Sequence, residues 1–433
     1  MKKRLLAFIL VLVLIATGCA PGESQNEATS GSGSGDKKEE EVKEITVIAR
    51  SGTYYNTLSA VAPEFEKETG IKVNLQEVGR DGYLQKVSTQ LLGQGDSTDV
   101  ILMLNNYIGQ FGEGGQFEPL DSYMKENNFN LDHVIPAVAE SVKYKKKVFA
   151  MPLDTSTHFL FYRKDLIPIP PKTWEEYREV AKNFTQSQNP DSPTEFGTTF
   201  QGKRGETQPK EWYQYFWAMG GEILDKNKKP TLNSDSGVEA LTYVVDNLRK
   251  EKIVPPDATT YEFPEVLSAF QNEKVAMAVE WNTAYPQLAD ATKSPKVSDK
   301  FAIADVPGGK PFIHTWTLAI NSNSKKKDDA FKFISWVSSP EGAKKYALAG
   351  GFPPVTEVLE DPEVIKVRPD FPDLQRTLMK AKAEPNLPEW PRIHEFITDA
   401  ISKALAGEKS PKEALDEAND SIYELLDSRG YYK

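Results

Sequence analysis

The chain has 433 residues, 63 acidic against 52 basic side chains, a formal net charge of −11, and one cysteine. An acidic chain without a basic stripe has no electrostatic reason to bind nucleic acid, and a single cysteine excludes a disulfide within one copy. Just under four hundred residues follow the polar N-terminal stretch, too many for one core, so two lobes are expected.

Met1-Lys2-Lys3-Arg4 is a basic opening, followed by an apolar run from Leu5 to Ile15. That run is too short for a membrane span, which takes about 20 residues. It ends in Ala16-Thr17-Gly18-Cys19, which resembles the lipobox of bacterial lipoproteins, with Ala16 where leucine is commoner. The likeness implies cleavage before Cys19 and diacylation of its thiol, with residues 1–19 as the signal segment. An ordinary secretory signal with a chance cysteine is the alternative. Residues 20–42 contain Ser30-Gly31-Ser32-Gly33-Ser34-Gly35 and Asp36-Lys37-Lys38-Glu39-Glu40-Glu41 and offer almost nothing to bury, so a flexible tether is expected. Loss of the three basic residues at the start leaves a mature charge of about −14.

Ile45 to Ala49 reads as a first strand and Leu58 to Thr69 as a helix stopped by Gly70. Ile71 to Leu75 alternates as a second strand, Tyr83 to Leu92 is a helix, and Asp99 to Met103 a buried third strand. Strands alternating with helices predict parallel βαβ units in an α/β sheet. Ligands bind such sheets at the carboxyl ends of the strands, here Ser51–Tyr55 and Leu104–Tyr107. Further along, Thr173 and Glu176 form a capping box. Helices are expected over Asp235–Lys250 and Lys327–Ser338, strands over Val275–Val279 and Thr317–Ile320. From Ile393 to Ser428 the pattern gives two helices broken at Gly407–Pro411.

Phe65-Glu66-Lys67-Glu68-Thr69-Gly70-Ile71-Lys72-Val73 resembles the family 1 extracellular solute-binding proteins, which include the maltose-binding proteins. Further stretches match in the same order. Asp99-Val100-Ile101 resembles the family's Pro-Asp-Val strand, with Thr98 in place of proline. Phe117-Glu118-Pro119-Leu120-Asp121 is similar to its G-x-L-x-P-L-D loop, and Phe161-Tyr162-Arg163-Lys164-Asp165-Leu166 to its Tyr-Asn-Lys-Asp-Leu, with Arg163 replacing asparagine. Gly220-Gly221, Asn272 to Met277, Ala330 to Ile334 and Gly350 to Pro354 also fit. The resemblance runs from about residue 45 to 428. It implies a periplasmic-binding-protein-like fold of type II. Each of the two lobes would then be a mixed sheet flanked by helices, discontinuous in sequence and joined by a hinge, and ligand would close one lobe onto the other. Crossings near Asp154, Ala304 and Ala349 are expected, giving an N-terminal lobe of 43–154 plus 304–349 and a C-terminal lobe of 155–303 plus 350–433.

The implied cargo is a sugar, an oligosaccharide above all. Pyranose rings offer apolar C–H faces and a rim of hydroxyls, which aromatic side chains and polar groups respectively recognise. On that chemistry the expected substrate-binding residues are Tyr54, Asn106, Asp154, Trp212, Trp281, Asn282, Trp316 and Phe352. Trp281 stands out between Glu280 and Asn282 just past a buried strand. Asp154 could instead cap a helix, and Asn106 falls where the family commonly has an acid. Trp174 and Trp336 read as structural, while Trp390 fits core or cleft equally. No H-E-x-x-H, G-x-S-x-G or phosphate-binding glycine loop occurs, and His133, His158, His314 and His394 lack metal-ligand spacing. No enzymatic role, cofactor or metal is therefore expected. The expected partners are the transmembrane permease subunits of an ABC importer, and the membrane through the lipid anchor. The expected form is a monomer on the outer face of a cell membrane, of Gram-positive type. A binding protein for ferric iron or a polyamine is the alternative, and a secreted glycan hydrolase a third.

Overall fold

The computed structural model describes residues 43–432. The expectations for the signal segment, Cys19 and the tether fall in 1–42 and lie outside the described residues.

Strand β1 (Glu44–Arg50) leads into helix α1 (Thr53–Thr69), strand β2 (Lys72–Val78), helix α2 (Tyr83–Leu92) and strand β3 (Val100–Leu104). β1 lies between β2 and β3, parallel to both, with Ile45 opposite Val73 and Val47 opposite Val100. Helix α1 begins five residues earlier than the periodicity predicts. Gly52, at φ 92° and ψ −141°, turns the chain in a region that only glycine occupies freely, so the helix starts at Thr53. Tyr54 consequently sits in the first helical turn. On the outer face Phe65 is fully buried, edge-on to Phe333 at 5.1 Å and 5.5 Å from Trp336. Such a burial is worth about 2–3 kcal/mol.

A short ribbon, β4 (Lys143–Tyr144) and β5 (Lys147–Val148), precedes β6 (Ala150–Ser156) and β7 (His158–Arg163). The next strands are β8 (Met277–Trp281), β9 (Phe301–Ala304), β10 (Phe312–Ile320) and β11 (Lys382–Ala383). β10 is antiparallel to both β3 and β6 and parallel to β11, so the first sheet is mixed, ordered β11-β10-β3-β1-β2 with β6 on β10. The second sheet, β8-β7-β9, is antiparallel, and a parallel bridge from Phe196 to Val275 extends its margin. β8 runs two residues beyond the expected Val275–Val279 because Trp281 still pairs with His158. Met277, Val279 and Trp281 supply the face that meets the helices of the second core. Those helices include Trp174–Asn183, Gln208–Ala218 and Asp235–Arg249. The capping box of the first is present, with Thr173 Oγ1 accepting from Glu176 N at 3.1 Å.

Thr157 separates β6, in the first sheet, from β7, in the second, and β9 gives way to β10 after Ala304. The third crossing differs from the expectation near Ala349. Ile135 N donates to Pro354 O and Thr356 N to His133 O, and β11 pairs with β10, so the chain stays with the first sheet as far as Ala383. Val358, Phe371, Leu374 and Leu378 belong to the same core as β1 and β3. The two final helices, Trp390–Ala406 and Pro411–Ser428, join the second core, with Leu387 just ahead of them. Gly350-Gly351 resembles a boundary in sequence, yet the apolar spacing after it serves the first lobe.

Candidate functional site

The carboxyl ends of β1, β2 and β3 open on a cleft of about 850 Å³ whose opposite wall includes Trp281 at the end of β8 and Glu206-Thr207 just before the helix Gln208–Ala218. Helices α1 and α2 both begin at this cleft, and neither has a side-chain cap. Their first N–H groups, and the positive end of each helix dipole, are thus left at the cleft wall.

Aromatic side chains run across it. Tyr54 lies 5.0 Å from Trp316, Trp316 is stacked with His314 at 6.2 Å, and His314 is 4.9 Å from Trp281 on the second sheet. Tyr83 holds Trp316 edge-on at 5.8 Å, and its own hydroxyl is used by Leu102 O at 2.7 Å. The β6–β10 ladder shifts register between Trp316 and Thr317, a bulge beside Asp154 and Trp316 of the kind that re-aims side chains near binding sites. The guanidinium of Arg50, at the end of β1, lies 4.8 Å from the Tyr54 ring centroid and 4.7 Å from that of Trp316.

Polar groups interrupt this wall. Asp154 Oδ2 accepts from Phe352 N at 2.9 Å and from the Tyr346 hydroxyl at 3.2 Å, while its buried Oδ1 has no partner. Burial pushes its carboxyl up to about 6 against those hydrogen bonds. His314 is 8 % exposed with neither ring nitrogen hydrogen-bonded, and burial, with Lys210 and Arg50 nearby, holds it well below its usual range, so the ring is neutral. Glu206 lines the cleft and pairs with Lys210 Nζ at 2.6 Å. Burial raises the tyrosine hydroxyl of Tyr54 above its ordinary range, which disfavours a phenolate there.

Of the expected site residues, Tyr54, Asp154, Trp281, Trp316 and Phe352 line this cleft. Asn106, Trp212 and Asn282 do not. Asn106 Nδ2 donates to Glu384 Oε2 at 2.7 Å, and Glu384 in turn faces Lys210 at 3.3 Å, so the amide ends a buried ionic chain that leads to Glu206. Trp212 is fully buried and stacked on Phe216 at 4.4 Å, because the apolar face of its helix turns inward. Asn282 Oδ1 accepts from Thr157 N at 3.0 Å and Asn282 N donates to Thr157 O, which fastens the first crossing. Trp390 is likewise in the second core, and Trp174 and Trp336 serve packing. Arg50, Arg80, Glu206 and His314 line the cleft and were not singled out from sequence. His314 had a signal, standing two residues before Trp316 on one strand and hence on its face.

A second depression of about 1070 Å³ lies between Lys143–Lys145, Asn386–Glu389 and Arg429–Tyr431. It contains none of the expected site residues. Among the described residues no three His, Cys, Asp or Glu side chains converge as metal ligands, and no helix is long and apolar enough to cross a membrane.

Known proteins share this arrangement. The family model for bacterial extracellular solute-binding proteins matches residues 49–344. A probable amino-acid ABC transporter periplasmic-binding protein of Sinorhizobium fredii is 25 % identical over 404 residues, covering 90 % of this chain and 91 % of that protein. An ABC transporter solute-binding protein from Agrobacterium radiobacter, solved with ribitol, is 26 % identical with a TM-score of 0.78 over 88 % of this chain and 98 % of its own. Maltose-bound MalE3 of T. maritima shares the fold at a TM-score of 0.79 and 24 % identity, over 88 % of this chain and 99 % of its own. With a match spanning most of the folded body and a cleft where strand ends from two sheets meet, the chain belongs to the bacterial extracellular solute-binding proteins.

Proposed function

We propose that this protein captures a sugar between its two lobes and delivers it to the permease of an ABC importer, without covalent chemistry. The observation that carries the reading is the line Tyr54–Trp316–His314–Trp281, which brings aromatic surface from both sheets to one cleft. Aromatic faces pair with the C–H faces of a pyranose, while Asp154, Glu206 and His314 suit its hydroxyls. The structures solved with maltose and with ribitol, an open-chain polyol, support a polyhydroxylated ligand. A cleft of about 850 Å³ has room for more than one ring, in keeping with an oligosaccharide. A titration of the folded body, from Lys43 onward, against mono- and oligosaccharides, with ferric citrate and spermidine included, tests this. Binding of a saccharide supports the sugar reading, and binding of iron or spermidine alone overturns it.

The receptor is a monomer that Cys19 holds to the outer face of the membrane, near its permease. Palmitate labelling of the full chain in a bacterial host tests the anchor. Label should be incorporated in the wild type and lost in Cys19→Ser, and equal labelling of the two would refute it.

A further inference from the structure

Two arginines line the cleft on the first-lobe side, Arg50 at the end of β1 and Arg80 just after β2. Among the described residues neither guanidinium has an acidic partner within ion-pair distance, and Arg50 Nε is buried without any hydrogen bond. A buried charged donor left unmade is costly. Here it is held in place, since the rings of Tyr54 and Trp316 lie 4.8 and 4.7 Å from the guanidinium carbon. A fixed, planar, unpaired guanidinium is what bidentate recognition of a carboxylate needs. The acidic groups that share the cleft are otherwise engaged or differently suited. Glu206 is paired with Lys210 and Glu262 with Lys203, Asp154 spends one oxygen on Phe352 and Tyr346, and Asp81 is exposed at the rim. The uncapped starts of α1 and α2 flank the arginines and favour negative charge. His314, over nine-tenths buried and with both ring nitrogens unpartnered, stands between the two tryptophans and marks the place where a ring's polar rim would lie.

We infer that the cargo is an acidic saccharide, a sugar bearing a carboxylate that Arg50 meets with its terminal Nη groups while Arg80 adds charge from the rim and the aromatic wall covers the ring. The inference rests on the sugar-receptor reading and narrows it. Asp154 and Glu206 then face the hydroxyl edge, and the carboxylate lies toward β1 and β2.

The test is isothermal titration of the folded body with disaccharides of galacturonate, glucuronate and mannuronate, each beside its methyl ester, together with maltose and glutamate. The expected result is that at least one free acid binds about tenfold to a hundredfold more tightly than its ester, the range for a charge-assisted pair. That preference should collapse in Arg50→Gln, shrink in Arg80→Gln, and weaken as salt is raised. Arg80 is exposed, so its variant folds even if loss of the Arg50 stack unsettles the wall. Esters or maltose binding as tightly as the acids would overturn this inference while keeping the sugar reading. Glutamate binding without any saccharide would overturn both, and so would binding of none of the probes. An acid preference unchanged in both variants would also sink the assignment to these arginines.

Discussion

Asp154 offers a pH-dependent test of how the floor of the cleft is built. Its carboxyl is fully buried, accepts two hydrogen bonds through Oδ2, and is pushed from 3.8 to about 6, burial outweighing Phe352 N, Tyr346 and the nearby arginines. A carboxylate whose pKa is raised on folding binds its proton more tightly in the native state. Its contribution is therefore fully present below about pH 4 and is lost as pH rises through about 6. At 1.36 kcal/mol per pKa unit, that loss is about 3 kcal/mol. Asp154→Asn keeps an acceptor for Phe352 and Tyr346 and cannot ionise. Urea unfolding of both proteins without ligand, at steps between about pH 4 and pH 7.5, should show the wild type losing up to about 3 kcal/mol relative to the variant as pH rises. A difference that is flat with pH, or a wild type that gains on the variant, would mean that Arg50 and Arg368 stabilise the ionised form after all, and would refute the reasoning.

Two further substitutions probe the residues that line no part of the cleft. Lys210→Met removes the cation shared by Glu206 and Glu384 in a buried chain. It should cost about 3–5 kcal/mol in urea unfolding near neutral pH and less at acidic pH, where Glu206, whose carboxyl burial already pushes up, takes a proton. A loss under about 1 kcal/mol would show that the chain is solvated. Trp212→Ala should cost about 3–5 kcal/mol through the cavity it leaves beside Phe216. Solute affinity measured well below its melting temperature should stay within about threefold of wild type, and a larger loss of affinity would place Trp212 in the site.

Much of the fold is legible in the sequence because single elements carry their own period. The β1-α1-β2-α2-β3 run follows from strand alternation, helical spacing and the stop at Gly70, and the family likeness extends it over the body. Boundaries were less legible where tertiary pairing decides them. Trp281 stays in β8 because His158 lies opposite, and Thr356–Leu378 joins the first lobe because His133 and Ile135 hold it there. The same limit applies to the site. Residues directly after strands, such as Tyr54 and Trp281, are found by position alone. Whether a polar residue there faces the cleft or a neighbouring backbone depends on a partner remote in sequence. Asn106 is turned away by Glu384, and Asn282 by Thr157. Arg50 lies one residue past the expected first strand, and only the packing of Tyr54 and Trp316 around it sets it at the cleft.

Solute is expected to bind against the aromatic wall that spans the two sheets. Thermal unfolding of the folded body with and without its saccharide, in wild type and in Trp281→Ala, tests it most directly, each protein being compared with its own ligand-free melting temperature. A ligand at a hundredfold excess over its dissociation constant adds about 2.7 kcal/mol to the native state. Truncating a central aromatic contact removes about 2–4 kcal/mol of binding. A clear upward shift is expected in the wild type and little or none in Trp281→Ala at the same concentration. Equal shifts in the two proteins would place the solute elsewhere and contradict it.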